Sequence, residues 1–302
     1  MSPETTVKTA LAEASARLSG CSGSPRLDAE ILLAHTLGVS RFDLFSREGR
    51  TLDEADCSKY RGFIERRANA EPVAYITKSR DFFEDTFYVD ERVLVPRPES
   101  EFVVETSLRL LQHVEKPSVL DICCGSGCIG LSFLRVHPCE LTLADISAEA
   151  LEVSKINAKR LFPSDPAINF VESDLFAEIT GVFDLITANP PYLSAEDMAE
   201  FVDGTLEFEP RNALFGGESG FEFTERLINE AKEHLKPGGF LVTELGYCGE
   251  RFAREKKYEL KFVEIINDYA GIGRVAVFRR DQAIEKKAIV IKRETHKSLE
   301  EK

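Results

Sequence analysis

The sequence predicts an α/β protein, in which a small all-helical domain is followed by a larger domain with a doubly wound, mostly parallel sheet. Three observations support this fold class. Apolar residues recur every three or four positions up to about residue 70, as in amphipathic helices. Aromatic and β-branched residues then alternate with polar ones between residues 73 and 95. From residue 118, short apolar runs alternate with helical stretches, which predicts parallel strands covered by helices.

The first segment, residues 1–72, is predicted to form the helical domain. Ser24 followed by Pro25 is typical of an N-cap and the first position of a helix, and Gly38 is typical of a helix end. A further helix is predicted over residues 53–70, where the charged residues are expected to form a solvated face.

The remaining chain is divided into three segments. Residues 73–99 are predicted to form a β-hairpin linker, which Pro96 and Pro98 stiffen before the next helix. Residues 100–280 carry the alternating pattern and are predicted to be the catalytic domain. Residues 281–302 are polar and nearly balanced in charge, so we expect this tail to fray or to form a loose helix.

The composition of the 302-residue chain is typical of a globular protein. Hydrophobic residues make up 43% and charged residues 30%, which is enough to form a core beneath a polar surface. The formal net charge of −14 argues against a large nucleic-acid interface, because such an interface needs Lys and Arg to neutralise phosphates. We therefore expect no direct nucleic-acid partner.

The cellular setting is predicted from what the sequence lacks. No apolar run approaches the roughly 20 residues that cross a bilayer, and the N-terminus lacks the basic and apolar segments of a secretion signal. The seven cysteines are an odd number, which favours reduced thiols. The four cysteines between residues 123 and 139 contain no Cys-x-x-Cys pair, so we expect no metal. The prediction is a cytoplasmic monomer without membrane contact.

A glycine-rich turn is the first feature that indicates a ligand. The run from Val119 to Gly130 predicts a strand, a turn containing Gly125 and Gly127, and a helix whose first amides are free to donate. Asp145 ends the next predicted strand, where a carboxylate can bind ribose hydroxyls. A nucleoside cofactor is expected. This pattern alone also satisfies the fingerprint of dinucleotide-binding proteins, so it does not specify which nucleoside binds.

The second feature is Asn189-Pro190-Pro191-Tyr192, directly after the predicted strand FDLITA. Open α/β sheets bind ligands at this edge, and two consecutive prolines make the loop rigid. The Asn189 side-chain oxygen and the Pro190 carbonyl can accept the hydrogens of one NH₂ group, while the Tyr192 ring covers a flat substrate. Such acceptors draw electron density onto an amide nitrogen and aim it at an electrophilic methyl group.

The chain also resembles a known family. Asp121 to Gly130, Asp145, Asp174-Leu175 and residues 189–192 are similar to motifs of class I methyltransferases that methylate amino groups. Further segments resemble the protein-(glutamine-N5) methyltransferases of peptide-chain release factors, the HemK/PrmC family. These segments are Pro72 to Thr77, Phe82, Val95 to Glu101, Glu209-Pro210 and Asp268 to Arg274.

The resemblance implies a Rossmann-like seven-stranded sheet, an N-terminal domain that docks a protein substrate, and S-adenosylmethionine as cofactor. The substrate would be the glutamine of the release factor's Gly-Gly-Gln motif. The implied cofactor-binding residues are Asp121, Cys123, Cys124, Gly125, Ser126, Gly127, Asp145, Asp174, Leu175 and Asn189. The implied substrate-binding residues are Asn189, Pro190, Pro191 and Tyr192, of which Asn189, Pro190 and Tyr192 are the expected catalytic residues.

The chain departs from the family pattern at three positions. Cys123 stands where the family has its first glycine, Cys124 where it has a threonine, and Lys78 where it has a glycine. A small side chain at Cys123 is expected to fit beside the cofactor. Arg97 and Glu99 are expected near the mouth of the cofactor site, although Arg97 is equally explained as a structural ion pair.

Three other functions are compatible with parts of this pattern. An N6-adenine nucleic-acid methyltransferase would use the same Asn-Pro-Pro-Tyr segment on an extruded base, but the negative charge argues against it. An NAD-dependent oxidoreductase would use the glycine turn and leave residues 189–192 unexplained. A catalytically silent partner of translation factors would follow if Cys123 prevented cofactor binding.

Overall fold

The fold is described by a computed structural model that covers residues 5–164, 166–200, 204–247 and 249–282. The predicted polar tail lies outside the described residues from position 283 onward. Within the described ranges, no helix is long and apolar enough to span a membrane.

The N-terminal segment is helical, as its periodicity predicts. Its five helices are α1 (Val7–Leu18), α2 (Pro25–Leu37), α3 (Arg41–Ser46), α4 (Glu54–Ala68) and α5 (Val73–Thr77). Helix α2 begins at Pro25, and the left-handed Gly38 (φ 63°) ends it. The Ser24 side chain makes no capping bond to the helix backbone and instead donates to the Asp28 carboxylate at 3.2 Å. Leucines such as Leu18 and Leu32 are fully buried between the helices.

The predicted hairpin is shorter than residues 73–99. Strands β1 (Arg80–Phe82) and β2 (Asp85–Phe87) pair antiparallel, and the residues before them form helix α5. The prediction of strand for Val73–Thr77 is therefore wrong. This segment follows Pro72 and contacts α2 and α4, with Ile76 buried in the core of the helical domain and Tyr75 buried against Val93 of the linker, so packing overrides the β propensity of its residues.

The larger part of the chain is a seven-stranded sheet with the order β5-β4-β3-β6-β7-β9-β8. The five strands β3 to β7 are parallel, and β9 runs antiparallel to both β7 and β8. The strands are β3 (Ser118–Ile122), β4 (Glu140–Asp145), β5 (Ile168–Glu172), β6 (Phe183–Ala188), β7 (Leu235–Glu244), β8 (Lys261–Asn267) and β9 (Gly273–Arg279).

Helices cover both faces of this sheet. The helices that pack on its strands are α6 (Glu101–Leu111), α7 (Cys128–Val136), α8 (Ala148–Leu161), α11 (Glu222–His234) and α12 (Gly249–Glu255). The connecting segments contain the short helices α9 (Ala195–Glu200) and α10 (Arg211–Leu214) and 3₁₀ helices at Pro98–Ser100 and Gly204–Phe208. Alternate residues of strand β3 contribute to two separate cores, since Val119 packs on one face of the sheet and Leu120 on the other. Burial on both faces explains why the inner strands β3, β4 and β6 are mostly apolar, whereas no residue of the edge strand β5 is fully buried.

The strand order brings the two predicted ligand loops together. From β3 the chain crosses to β4 and β5 on one side, whereas β6 pairs with the other side of β3. The loops after β3 and β6 therefore leave neighbouring carboxyl ends at the point where the strand order reverses, which is where open α/β sheets form a binding crevice.

Candidate active site

The glycine-rich turn between β3 and α7 depends on left-handed backbone. Gly125 (φ 53°) and Gly127 (φ 77°) both lie in this region, and Gly127 is the residue from which α7 begins. A Cβ added at Gly125 would meet no atom within 4 Å, although the residue lines a cavity. The turn thus leaves space beside its backbone for a ligand.

Asp121 lies beneath this turn and does not line the cavity. Its two carboxylate oxygens accept hydrogen bonds from the Gly130 amide (3.0 Å) and the Thr187 hydroxyl (2.8 Å). The side chain is fully buried, and burial raises its pKa to about 7. Asp121 therefore joins β3, β6 and the start of α7, and the structure gives it a supporting position rather than a ligand-facing one.

Asp145 lies at the carboxyl end of β4 and lines the cavity. One oxygen accepts from the Gly125 amide and the other from the Ser147 amide, each at 2.9 Å. A carboxylate has about four acceptor sites, so each oxygen retains one for a ribose hydroxyl. Burial raises the Asp145 pKa, while these backbone donors favour its ionised form.

Two side chains that the sequence reasoning missed hold the turn from helix α8. Ser154 donates to the Gly125 carbonyl at 2.7 Å. The buried Asn157 amide donates at 2.9 Å to the carbonyls of both Ser126 and Tyr88, and it accepts from the Tyr88 amide at 2.7 Å. Asn157 thereby joins the linker to the ligand turn. The signal in the sequence that could have identified these two residues is their spacing of three positions, which places both on one face of a helix.

At two positions where the related family has glycine, this chain has another residue, and both of these residues have left-handed backbone. Cys123 has φ 55° and Lys78 has φ 54°. A side chain in this conformation costs of the order of 1–3 kcal/mol. Helix α5 nevertheless ends in a turn at Lys78, so a lysine in place of the family's glycine does not prevent this turn. The Cys123 side chain is half-buried and lines the cavity.

Replacement Cys123→Gly is expected to raise the free energy of unfolding by about 1 kcal/mol, because the backbone strain is relieved and only partly offset by the greater freedom of glycine in the unfolded chain. Urea denaturation would measure this change. Cys123→Ala keeps the strain and is the matched control, for which no gain is expected. Equal stabilities of the glycine and alanine variants would contradict a strained Cys123.

The cavity beside these residues has a volume of about 560 Å³, within the usual range for cofactor sites. Eight of the predicted cofactor residues are among those that line it: Cys123, Cys124, Gly125, Ser126, Asp145, Asp174, Leu175 and Asn189. Asn189 and Pro191 line its inner end, whereas Gly127 serves the start of α7. A glycine cradle, free carboxylate acceptors and an apolar Leu175 fit a nucleoside cofactor.

The Asn-Pro-Pro-Tyr loop, residues 189–192, follows β6 and is held by a second segment. Leu193 donates to the Leu214 carbonyl at 2.9 Å and accepts from the Gly216 amide at 2.8 Å. A Cβ at Gly216 would lie 2.7 Å from the Pro191 carbonyl oxygen, so only glycine allows this approach. Pro190 is buried and, unlike Asn189 and Pro191, is not among the residues that line the nucleoside cavity.

A second cavity of about 380 Å³ lies on the other side of this loop. Tyr192 and Glu99 line it, and Asn189 lines both cavities. A group bound in the second cavity can therefore meet Asn189 at the boundary with the nucleoside cavity. This arrangement suits a transfer between two ligands, because each has its own cavity and the polar side chain of Asn189 is common to both.

Arg97 forms an ion pair and also reaches both cavities. Its guanidinium donates to the buried Glu209 carboxylate at 2.5 Å, and the other Glu209 oxygen accepts from the Val95 amide at 3.0 Å. Arg97 also lines both cavities. Arg97 is therefore both a partner in a structural ion pair and a residue of the site.

A buried carboxyl completes the site and was missed by the sequence reasoning. Glu244, at the carboxyl end of β7, contacts the Ser100 hydroxyl (2.5 Å) and the Tyr192 hydroxyl (3.2 Å). The Asn189 amide nitrogen donates in turn to Ser100 at 3.1 Å. An acidic residue that ends a strand adjacent to β6 was the signal that could have indicated it. The sheet, the nucleoside cavity and the loop at Asn189 together define a class I S-adenosylmethionine-dependent methyltransferase.

Comparison with known proteins identifies the family. The chain is 37% identical over 260 residues to the release factor glutamine methyltransferase of Koribacter versatilis, covering 85% of this chain and 92% of that protein. It belongs to the release factor glutamine methyltransferase family. A second member, from Leptospira interrogans, is 43% identical over 226 residues, covering 74% of this chain and 79% of that protein.

Two family models agree with this assignment, and a solved structure shares the fold of the larger domain. Residues 9–77 match the PrmC N-terminal domain, and residues 103–217 match the methyltransferase small domain. The catalytic domain of hMettl16, solved in complex with MAT2A 3′UTR hairpin 6, superposes with a TM-score of 0.50. It is 14% identical and covers 65% of this chain and 74% of that one, so it bears on the fold alone.

Proposed function

We propose that this protein transfers the methyl group of S-adenosylmethionine to the side-chain amide nitrogen, N5, of the glutamine in the Gly-Gly-Gln motif of a peptide-chain release factor. The observation that carries this proposal is the position of Asn189, which borders both the nucleoside cavity and the second cavity. A glutamine side chain in the second cavity would present its amide nitrogen at that boundary.

The chemistry requires an amide nitrogen to become nucleophilic. Its lone pair is delocalised into the carbonyl, and bound S-adenosylmethionine supplies an electrophilic methyl group. The Asn189 oxygen and the Pro190 carbonyl would accept the two amide hydrogens, which holds the nitrogen in place and increases its electron density. Tyr192, whose ring lines the second cavity, would cover the flat amide. Catalysis would rest on positioning and electrostatics.

The cofactor would be held at the other side of Asn189. We assign its ribose to Asp145, its methionine portion to the turn from Cys123 to Gly127, and its adenine to Leu175. Asp174 lies at the same rim but is paired with Arg226 at 3.2 Å, so its role would be to orient the rim. The half-buried Cys123 adds a side chain to the wall without separating Asp145 from the cavity.

The partner in this proposal is a protein. The helical domain, which matches the PrmC N-terminal domain, would dock the release factor while the second cavity receives its glutamine. A net charge of −14 disfavours direct binding of nucleic acid, and we propose a monomer that acts in the cytoplasm. The N6-adenine alternative is not adopted, since the full-length relatives are named release factor glutamine methyltransferases.

The function is tested by incubating the protein with S-adenosylmethionine and a purified cognate release factor, followed by mass spectrometry of the Gly-Gly-Gln peptide. We expect a gain of one methyl group on the glutamine side chain. A release factor with that glutamine replaced by alanine is the control and should gain none. An unmodified peptide, with cofactor binding verified by calorimetry, would refute the proposal.

A further inference from the structure

Hydrogen bonds join two side chains of the Asn-Pro-Pro-Tyr loop to Ser100, which lines the nucleoside cavity, and to Glu244, which lines the second cavity. Glu244 is at the centre of these bonds, and its side chain is almost completely buried. One of its oxygens is 2.5 Å from the Ser100 hydroxyl and the other is 3.2 Å from the Tyr192 hydroxyl. Ser100 is in turn 3.1 Å from the Asn189 amide nitrogen. A single carboxyl is therefore linked to both polar side chains of the loop.

The chemistry of these four groups determines which of them donates and which accepts in each hydrogen bond. An ionised carboxylate can only accept hydrogen bonds. Ser100 has one hydroxyl hydrogen, and when Glu244 takes it, the Ser100 oxygen can serve Asn189 only as an acceptor. Only the nitrogen end of the Asn189 amide can donate to it, so the carbonyl end must point away from Ser100. The ionised network therefore presents the Asn189 oxygen as the free end of the amide.

We propose that Glu244 is a positioning residue that, acting through Ser100, sets which end of the Asn189 amide faces the substrate. The same carboxylate holds Tyr192 by its hydroxyl on the wall of the second cavity. This inference rests on the proposed function, in which Asn189 accepts a hydrogen from the substrate amide. Neither Glu244 nor Ser100 is required to touch the glutamine.

Protonation of Glu244 would reverse the donor and acceptor roles in these hydrogen bonds. A protonated carboxyl can donate to the Ser100 oxygen, which leaves the Ser100 hydrogen free to reach the Asn189 oxygen. The amide then turns over and presents NH₂ to a substrate NH₂, so no acceptor faces the substrate. One proton on Glu244 thus determines which end of the Asn189 amide faces the substrate and, through it, whether the methyl group is transferred.

The surroundings of Glu244 place this change near neutral pH. Burial, with a smaller contribution from the negative charge of Glu99, raises its pKa to about 7. The Ser100 and Tyr192 hydroxyls and the Arg274 cation act in the opposite sense. Arg274 is itself paired with Asp268 at 3.0 Å, which restrains its effect. Because the ionised form is the competent one, activity should fall as the pH decreases through about 7.

The test compares kcat and KM across pH for Ser100→Ala and Glu244→Gln with a release-factor substrate. We expect each variant to lose about tenfold in kcat, which corresponds to about one lost hydrogen bond, with the KM for S-adenosylmethionine within twofold of the wild-type value. The fall in activity below pH 7 should disappear in both variants, because the link between Glu244 and Asn189 is cut.

Two further variants separate positioning from general loss of structure. Ser100→Thr keeps the hydroxyl and should restore both the activity and the acidic fall. Ser107→Ala removes another buried serine hydroxyl of helix α6, one without a hydrogen-bond partner in the described part of the chain. It should leave kcat and the pH profile unchanged. Wild-type kcat and an intact acidic fall in Ser100→Ala would overturn the inference.

A second readout does not require activity. The side-chain amide of Asn189 can be followed by NMR in ¹⁵N-labelled protein and assigned by its absence from Asn189→Ala. Its signal should shift with pH around 7 in the wild-type protein and not in Glu244→Gln. A signal that does not titrate would refute the inference even if methylation occurs, whereas absence of methylation with a titrating signal would refute only the proposed substrate.

Discussion

Asn189→Ala is expected to reduce kcat for methyl transfer by about 10²- to 10³-fold, the loss typical of removing one hydrogen-bonding group that acts on the reacting centre. The alanine removes the acceptor at the boundary of the two cavities, so the substrate amide loses one of its two anchors. The dissociation constant for S-adenosylmethionine should stay within a few-fold, because Asp145 and the glycine turn are unchanged.

Single-turnover kinetics and calorimetry would measure these two quantities separately. Asn169→Ala, at an exposed position of edge strand β5, is the matched control and should retain normal values. If Asn189→Ala weakened cofactor binding as much as it slowed transfer, Asn189 would be a part of the nucleoside cavity rather than an acceptor for the substrate.

Asp145→Ala is expected to have the opposite profile and to weaken S-adenosylmethionine binding by about 100-fold, or about 2.7 kcal/mol. Two acceptor sites for the ribose are lost. The amides of Gly125 and Ser147 also lose the carboxylate that holds them at 2.9 Å, so the turn itself is loosened. At saturating cofactor, kcat should recover to within about tenfold of the wild-type value.

Calorimetric titration with S-adenosylmethionine would measure this loss. Asp81→Ala, at an exposed position of the hairpin, removes a carboxylate that does not line the nucleoside cavity and should bind the cofactor normally. Undiminished affinity in Asp145→Ala would show that the ribose is bound elsewhere along the cavity, with Asp174 as the next carboxylate to replace.

The outlines of the fold follow from local patterns. The run FDLITA forms β6 at Phe183–Ala188, as predicted, because four of its six residues are apolar and it is followed by Asn189 and two prolines. The resemblance correctly implied seven strands. Val73–Thr77 was assigned wrongly because its residues favour strands in isolation, and only its contacts with α2 and α4 make it helical.

The sequence by itself located the glycine turn and the Asn-Pro-Pro-Tyr loop, since each is a contiguous segment that needs no partner to be recognised. Only the tertiary structure decided that Asp121 supports the turn from below, and that Ser100 and Glu244, 144 residues apart, meet behind Asn189. The physical reason is the strand order, which places β7 beside β6 and brings a distant carboxyl to the same edge of the sheet. Hydrogen-bond direction then depends on that contact, which no local pattern contains.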